Sequence, residues 1–176
     1  YLDQELTEGN ILKAKNTSIR AGGKGVNISI VLSQMGIQSK AILFLGGGIG
    51  ELIDREISAR QGIEVIPIRI SEENRINVKI KNQTETAINA LGPCVSAGQQ
   101  DALLATLNEL TKEDYVLISG SFCQGVTAEL VEKIGEQVLK AGARLITDIP
   151  NLKIANYRKI KPYLIKPNLE ELAMIF

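Results

Sequence analysis

Residues 41–50 read AILFLGGGIG, in which five apolar residues, 41–45, run directly into a cluster of glycines. An uninterrupted apolar run of this length is typical of a short strand buried on both faces of a sheet. The glycines permit a tight turn, and the residues after them indicate the beginning of a helix. Three other short apolar runs also end in small or turn-forming residues: 115–119 before Gly120, 145–147 before Asp148, and 163–165 before Lys166.

Between these runs, apolar residues recur at the spacing of an α-helix. Residues 26–35, 100–110 and 128–139 each place their apolar side chains on one helical face. Strands that alternate with amphipathic helices form a mainly parallel sheet that helices cover on both faces. The sequence therefore predicts a single α/β domain with three layers.

A second, smaller sheet is predicted from residues 65–89. Three strand-like runs, 65–70, 76–80 and 84–88, follow one another without a helix between them, and Asn82-Gln83 supplies a tight turn before the last run. Strands joined by such short connections cannot enter a parallel sheet, so we expect a separate β-sheet lid formed by approximately residues 16–21 and 65–89. The open edges of a lid of this kind favour a homodimer.

Bulk composition excludes several classes of function. The chain has 176 residues with 20 Lys and Arg against 20 Asp and Glu, so no basic surface for nucleic acid is expected. No apolar run approaches the roughly 20 residues of a membrane helix, and residues 1–5 are too acidic for a secretory signal. The two cysteines have no metal-ligand spacing and fit a cytoplasmic protein. The absence of histidine excludes Ser-His-Asp and Cys-His catalysis and His-based zinc sites.

A glycine-rich segment, residues 21–27 (AGGKGVN), precedes the first predicted helix. Glycines at a helix N-terminus let backbone N–H groups approach an anion closely, and Lys24 adds a mobile positive charge. The Asn27 amide can both donate and accept hydrogen bonds to hydroxyl groups. The spacing is not that of a Walker A loop, and the segment is either a ligand-binding loop or a plain flexible turn.

The glycines at 46–50 invite a dinucleotide-binding interpretation, because they follow a strand and open a helix. The Gly-x-Gly-x-x-Gly fingerprint fails, however, since its last position is occupied by Glu51. A close strand-to-helix turn that lines a pocket is favoured, and an NAD-dependent oxidoreductase is the alternative.

Further candidates lie on the lid and at predicted strand ends. Arg75, Asn77 and Lys79 share one face of a lid strand, which either faces solvent or clamps a phosphate. Ser119 and Asp148 end strands at the edge where open α/β sheets bind ligands.

The segment KPNLEE, residues 166–171, joins the last predicted strand to a helix. Asn168 and Glu171 have the spacing of a helix capping box, and they could equally order magnesium-bound water beside nucleotide phosphates.

Taken together, these segments resemble the phosphofructokinase-B (ribokinase-like) family of carbohydrate kinases. The resemblance spans essentially the whole chain and is closest to the 1-phosphofructokinase and tagatose-6-phosphate kinase subgroups. The matching motifs occur in the family's order: residues 21–27 (AGGKGVN), 44–47 (FLGG), 75–79 (RINVK), 119–121 (SGS) and 166–171 (KPNLEE).

The resemblance implies a three-layer α/β/α ribokinase-like core with a small β-sheet lid. It implies an ATP- and Mg²⁺-dependent phosphotransferase with an alcohol group as acceptor, which converts fructose 1-phosphate to fructose 1,6-bisphosphate, or else acts on tagatose 6-phosphate. The expected substrate-binding residues are Gly22, Gly23, Lys24, Asn27, Arg75, Asn77 and Ser119. On the ATP side it implies Lys166, Asn168 and Glu171, with Glu171 reaching the magnesium ion through water.

The chain also departs from the family's pattern. A first strand with an Asn-Pro-Ser-x-Asp motif would lie before Tyr1, and the Gly-Ala-Gly-Asp motif with the catalytic base would lie beyond Phe176. Residues 1–176 are therefore expected to be the N-terminal part of a single domain, and to show no kinase turnover when expressed alone. A non-catalytic sugar-phosphate sensor is the alternative from another class.

Overall fold

The glycines of residues 46–50 lie inside a parallel β–α–β unit. We describe a computed structural model of the chain over residues 1–2 and 6–175, so residues 3–5 of the acidic N-terminal stretch and Phe176 lie outside the described residues. The first elements are α1 (Lys24–Gln34), β1 (Ser39–Leu45), α2 (Gly47–Ser58) and β2 (Ile63–Arg69). β1 and β2 are parallel neighbours, and α2 packs against both strands.

The lid is smaller than the sequence predicts. An antiparallel hairpin forms from β3 (Asn77–Lys81) and β4 (Glu85–Asn89), with Asn82 in the turn, which confirms two of the three predicted lid strands. The prediction was wrong for residues 65–70, because most of this run is β2 of the parallel core. It was also wrong for residues 16–21, which form no assigned strand. β2 can pair in parallel with β1 because α2, which lies between the two strands in the chain, provides the crossover connection. The short connections that suggested a separate sheet come only after residues 65–70.

The rest of the chain repeats the alternation of helix and strand. Strands β5 (Tyr115–Ser119), β6 (Arg144–Asp148) and β7 (Leu164–Ile165) form a second parallel sheet in that order, and α1 packs against both β1 and β5. Among the helices of the described residues, none is long and apolar enough to cross a bilayer. The remaining elements are α3 (Ala97–Thr106), followed by a 3₁₀ turn (Leu107–Glu109), then β5 (Tyr115–Ser119), α4 (Ala128–Ala141), β6 (Arg144–Asp148), α5 (Ile154–Ile160), β7 (Leu164–Ile165) and α6 (Leu169–Ile175).

Two apolar clusters hold these layers together. The larger one lies between α4, α5 and the sheet around β6, with Val138 and Ile160 fully buried. The smaller one joins α1, β1, α2 and β2 through residues such as Val26 and Ile57. Apolar side chains at the helical spacing of α4 form much of the larger cluster, as the sequence pattern predicts. This packing brings the carboxyl ends of β5, β6 and β7 to one edge, next to the N-terminus of α1.

Candidate functional site

Three polar side chains converge on Asp148, the last residue of β6. The Ser119 hydroxyl donates to Oδ2 of Asp148 at 3.0 Å, and Nζ of Lys24 lies 3.2 Å from the same oxygen. Nζ of Lys166 lies 3.6 Å from Oδ1. We call Lys24, Ser119, Asp148 and Lys166 the Asp148 cluster.

Each member of the Asp148 cluster is positioned by the backbone of its element. Ser119 and Asp148 are opposite each other in the parallel ladder of β5 and β6, and the N–H of Gly120 donates to the carbonyl of Asp148 at 2.9 Å. The N–H of Lys166 donates to the Thr147 carbonyl at 2.9 Å, so Lys166 directly follows the paired end of β7. Lys24 enters from the first residue of α1.

The electrostatics of the Asp148 cluster suit an anionic ligand. Burial favours the neutral acid, but hydrogen bonds from Lys24 and Ser119, together with the charges of both lysines, outweigh it and hold the pKa of Asp148 below its ordinary value. One carboxylate beside two ammonium groups leaves a net positive charge. The Lys24 and Lys166 side chains are 49% and 75% exposed, so both ammonium groups remain accessible to a phosphate.

The segment before α1 has the geometry of an open helix N-terminus. Gly23 occupies the N-cap position with φ 124°, a conformation that only glycine adopts without strain, and no side chain caps this helix end. The N–H of Ala21 donates to the Glu56 carboxylate at 2.7 Å, which holds the segment against α2. Gly22 and Asn27 are exposed beside Lys24.

Asn168 and Glu171 form a reciprocal capping box at the beginning of α6. The Glu171 N–H donates to Oδ1 of Asn168 at 2.7 Å, and the Asn168 N–H donates to Oε2 of Glu171 at 2.9 Å. The capping interpretation of this pair is therefore confirmed. Oε1 of Glu171 takes no part in these bonds, so capping leaves that oxygen to other contacts.

On the lid side, Arg75 is exposed and lies near the loop that follows β5. Its side chain is close to Gly92. Burial raises the pKa of the Cys123 thiol, and the positive charge of Arg75 offsets part of this effect. Asn77 is exposed at the beginning of β3. Lys79, the third residue of the predicted polar face, pairs with Glu85 at 3.2 Å.

The structure therefore brings Lys24, Ser119 and Lys166 together around Asp148, which the sequence marks as a strand-end candidate without a specific role. The signal that marks Asp148 is a carboxylate at the carboxyl end of a buried parallel strand. Among the described residues, no hydrogen bond joins Asn27 or Asn77 to the Asp148 cluster.

Three of the glycines in residues 46–50, Gly46, Gly47 and Gly50, allow close packing of the chain. A side chain at Gly46 would collide with the carbonyl of Glu72 and lie 2.6 Å from that of Ile70. The close-turn interpretation is therefore favoured over a dinucleotide site at this position.

Comparison with known proteins agrees with the geometry. A family model described as pfkB family carbohydrate kinase matches residues 1–176. The chain belongs to this family. As a pfkB-family chain it has the ribokinase-like α/β core and lid that the sequence motifs imply, so the predicted family and fold class are confirmed.

Relatives of this pfkB-family chain include named sugar-phosphate kinases. It is 32% identical over 173 residues to a 1-phosphofructokinase of Bacillus subtilis, covering 98% of this chain and 57% of the relative. It is 30% identical over 172 residues to a D-tagatose-1-phosphate kinase of Bacillus licheniformis, covering 98% of this chain and 56% of the relative.

Among solved structures, phosphofructokinase-2 of Escherichia coli in complex with fructose-6-phosphate has a TM-score of 0.88 at 21% identity, covering 97% of this chain and 57% of that chain. The fold is therefore shared at low sequence identity. The pfkB-family chain spans little more than half the length of the curated relatives it matches.

Proposed function

We propose that the protein carrying this chain is an ATP-dependent kinase that phosphorylates fructose 1-phosphate to fructose 1,6-bisphosphate. The observation that carries the proposal is the Asp148 cluster, in which two accessible ammonium groups, Lys24 and Lys166, are held by one buried carboxylate at the carboxyl edge of the sheet. A preorganised positive site of this kind suits a reaction that moves a phosphoryl group between two anions.

The sugar phosphate is assigned to the surface between the start of α1 and the lid. Gly22, Gly23, Lys24 and Asn27 offer backbone N–H groups, an ammonium and an amide for sugar hydroxyls, with Ser119 beside them. Arg75 and Asn77 lie on the lid side, where a guanidinium can bind the phosphate that the substrate already carries. A tagatose phosphate is the second candidate substrate, because relatives at 30% identity are named tagatose-phosphate kinases.

ATP is assigned to the side of Lys166, Asn168 and Glu171. The donor set fits a magnesium nucleotide, because Mg²⁺ keeps several waters and binds through one or two carboxylates together with phosphates. Glu171 would supply one such carboxylate, through water. The described residues contain no group of three or more His, Cys, Asp or Glu side chains able to hold a metal alone, so the ion would come with the nucleotide.

In the proposed mechanism, Lys24 and Lys166 offset negative charge on the transferring phosphoryl group, and Asp148 keeps both ammonium groups in place. Bound magnesium would neutralise charge on the nucleotide phosphates. The base that takes the hydroxyl proton is not assigned to a residue of this chain. The lid would close over the sugar and exclude water, which limits hydrolysis of ATP.

We also propose that the lid mediates a homodimer in the cytoplasm. Val78 and Ile88 are opposite each other in the hairpin, and with Ile76 they form one apolar face with 47–58% of each residue exposed. A sheet face of this kind is stabilised by burial against a second copy. The two free cysteines, Cys94 and Cys123, fit a reducing compartment.

The glycine segment gives a test of this function by binding alone. Gly23→Ala should weaken binding of fructose 1-phosphate about tenfold or more, because φ 124° strains any residue with a Cβ and the N–H groups would turn away from the ligand. Isothermal titration calorimetry on the protein carrying this chain measures the change. Gly98→Ala is the control, since Gly98 lies in the first turn of α3, outside this segment, with open space around its Cβ position. Unchanged affinity in a folded Gly23→Ala variant would make the segment a plain turn.

A further inference from the structure

The segment that leads from β2 into the lid is tied to the core by three consecutive side chains, Glu72, Glu73 and Asn74. We call these three residues the lid anchor. Oδ1 of Asn74 accepts from the N–H of Gly46 at 2.8 Å, and its Nδ2 donates to the carbonyl of Phe44 at 2.9 Å. The Asn74 N–H also donates to the carbonyl of Gly46 at 3.2 Å. The side-chain amide thus pairs with the end of β1 as a neighbouring backbone peptide would.

Glu73 joins the lid anchor to α2. Its Oε1 accepts from the N–H of Ile49 at 2.6 Å, in the first turn of the helix. The N-cap of α2 is Gly46, which has no side chain to cap the helix, so Glu73 supplies both the missing acceptor and a negative charge at the positive end of the dipole.

Glu72 extends the lid anchor to the segment that returns from the lid after β4. Its Oε2 accepts from the N–H of Cys94 at 2.8 Å, and Nε2 of Gln124 donates to the carbonyl of Gly92 at 2.8 Å on the same return path. Both connections between lid and core are therefore fixed by side chains. The absence of a side chain at Gly46 lets residues 70–72 approach this closely, which explains a glycine that the proposed function leaves unused.

Arg75 follows the lid anchor directly in the chain. Its backbone position is set by Asn74, and its side chain lies over the loop after β5, close to Cys123 and Gly92. A guanidinium that binds a phosphate through paired hydrogen bonds requires a fixed direction, because the fork geometry tolerates little rotation.

We propose that Asn74 is a positioning residue that, with Glu72 and Glu73, anchors the lid and aims Arg75 at the phosphate of the substrate. This inference rests on the proposed function, since it concerns the same substrate phosphate. Asn74 itself does not touch the substrate, and it acts through the backbone of Arg75.

The test compares Asn74→Ala with Asn156→Ala in the full-length kinase. Asn74→Ala is also combined with Arg75→Ala in a double variant. Asn156 is a matched control, because its amide also accepts one backbone N–H and donates one hydrogen bond, to Glu132, away from the lid. Asn74→Ala should raise KM for fructose 1-phosphate about tenfold while KM for ATP changes less than about twofold, and Asn156→Ala should change neither. Amide hydrogen exchange of residues 70–92 should become faster in Asn74→Ala and stay unchanged in Asn156→Ala.

The double variant separates a positioning role from a general structural one. If Asn74 acts through Arg75, Asn74→Ala should have no further effect on KM once Arg75 is Ala. An equal rise in KM in both backgrounds, or no rise with intact Arg75, overturns the proposal. Asn74→Asp, which keeps the acceptor for Gly46 and loses the donor to Phe44, is the second variant if Asn74→Ala fails to fold.

Failure of the proposed function would be distinguishable. An unchanged KM for the sugar phosphate in Arg75→Ala would overturn the phosphate contact and the positioning role with it. Hydrogen exchange in the lid would still decide separately whether Asn74 anchors the lid.

Discussion

If the proposed function is right, replacement of Asp148 by Asn is expected to lower kcat/KM of the protein carrying this chain by about a hundredfold or more. The carboxylate holds two ammonium groups and one hydroxyl at the carboxyl edge of the sheet, and the amide would leave Lys24 and Lys166 without their shared counter-charge. Removal of one preorganised electrostatic contact at a reacting centre commonly costs about 10²–10³ in rate. Steady-state kinetics with both substrates varied measures the loss.

Glu132→Gln is the matched control for this variant. Glu132 also accepts from a lysine, Lys159 at 2.8 Å, and from an amide, Asn156 at 3.0 Å, on the surface between α4 and α5. Its loss should leave kcat/KM within about twofold, because no hydrogen bond or ion pair among the described residues joins Glu132 to the Asp148 cluster. Equal activity of Asp148→Asn and wild type would mean that the cluster is only structural.

The lowered pKa of Asp148 fixes the sign of its pH dependence. A carboxyl whose folded pKa lies below its unfolded value stabilises the protein above the unfolded pKa, and this contribution is lost as pH falls through the folded pKa. Asp148 therefore stays ionised at neutral pH, and an acid limb of the rate profile above about pH 5 would belong to another group.

Arg75→Ala is expected to weaken binding of fructose 1-phosphate roughly ten- to two-hundred-fold, the range that corresponds to one charge-assisted contact. Arg75→Lys should recover only part of the affinity, because an ammonium cannot present the planar fork of a guanidinium. Binding of unphosphorylated fructose should barely change, since the contact is to the phosphate. Calorimetry on the full-length protein with both sugars measures the difference.

Arg69→Ala tests whether any exposed arginine near the lid has this effect. Arg69 ends β2 and pairs with Asp54 at 2.7 Å, in an exposed ion pair. This variant should leave both affinities unchanged. If Arg75→Ala weakened both sugars equally, Arg75 would be supporting the lid and not reading phosphate.

Local sequence patterns predict most of the fold, because the buried strands and amphipathic helices each carry their own periodicity. The lid hairpin is predicted from the strand-like runs 76–80 and 84–88 together with the turn at Asn82. Residues 65–70 were misplaced because the strand pattern does not record which strand it pairs with. That choice depends on α2, whose position lets β2 return beside β1.

The candidate site is predicted residue by residue, but its organisation is not. Lys24 and Asp148 are separated by 124 positions in the chain and meet only after the sheet and α1 have packed. The lid anchor shows the same limit: Glu72, Glu73 and Asn74 look like an ordinary polar loop, and their partners are backbone groups that no sequence pattern marks. Asn168 and Glu171 are the exception, since a capping box is a local motif.

Phosphorus NMR of the full-length protein with magnesium-ATP and fructose 1-phosphate tests the central claim most directly. For a sugar-phosphate kinase we expect ADP and fructose 1,6-bisphosphate to form in equal amounts, and fructose without a phosphate to give neither product. Tagatose 6-phosphate in a parallel sample distinguishes the second candidate substrate. Saturable binding of the sugar phosphates without phosphoryl transfer would contradict the proposed kinase activity and indicate a sugar-phosphate sensor.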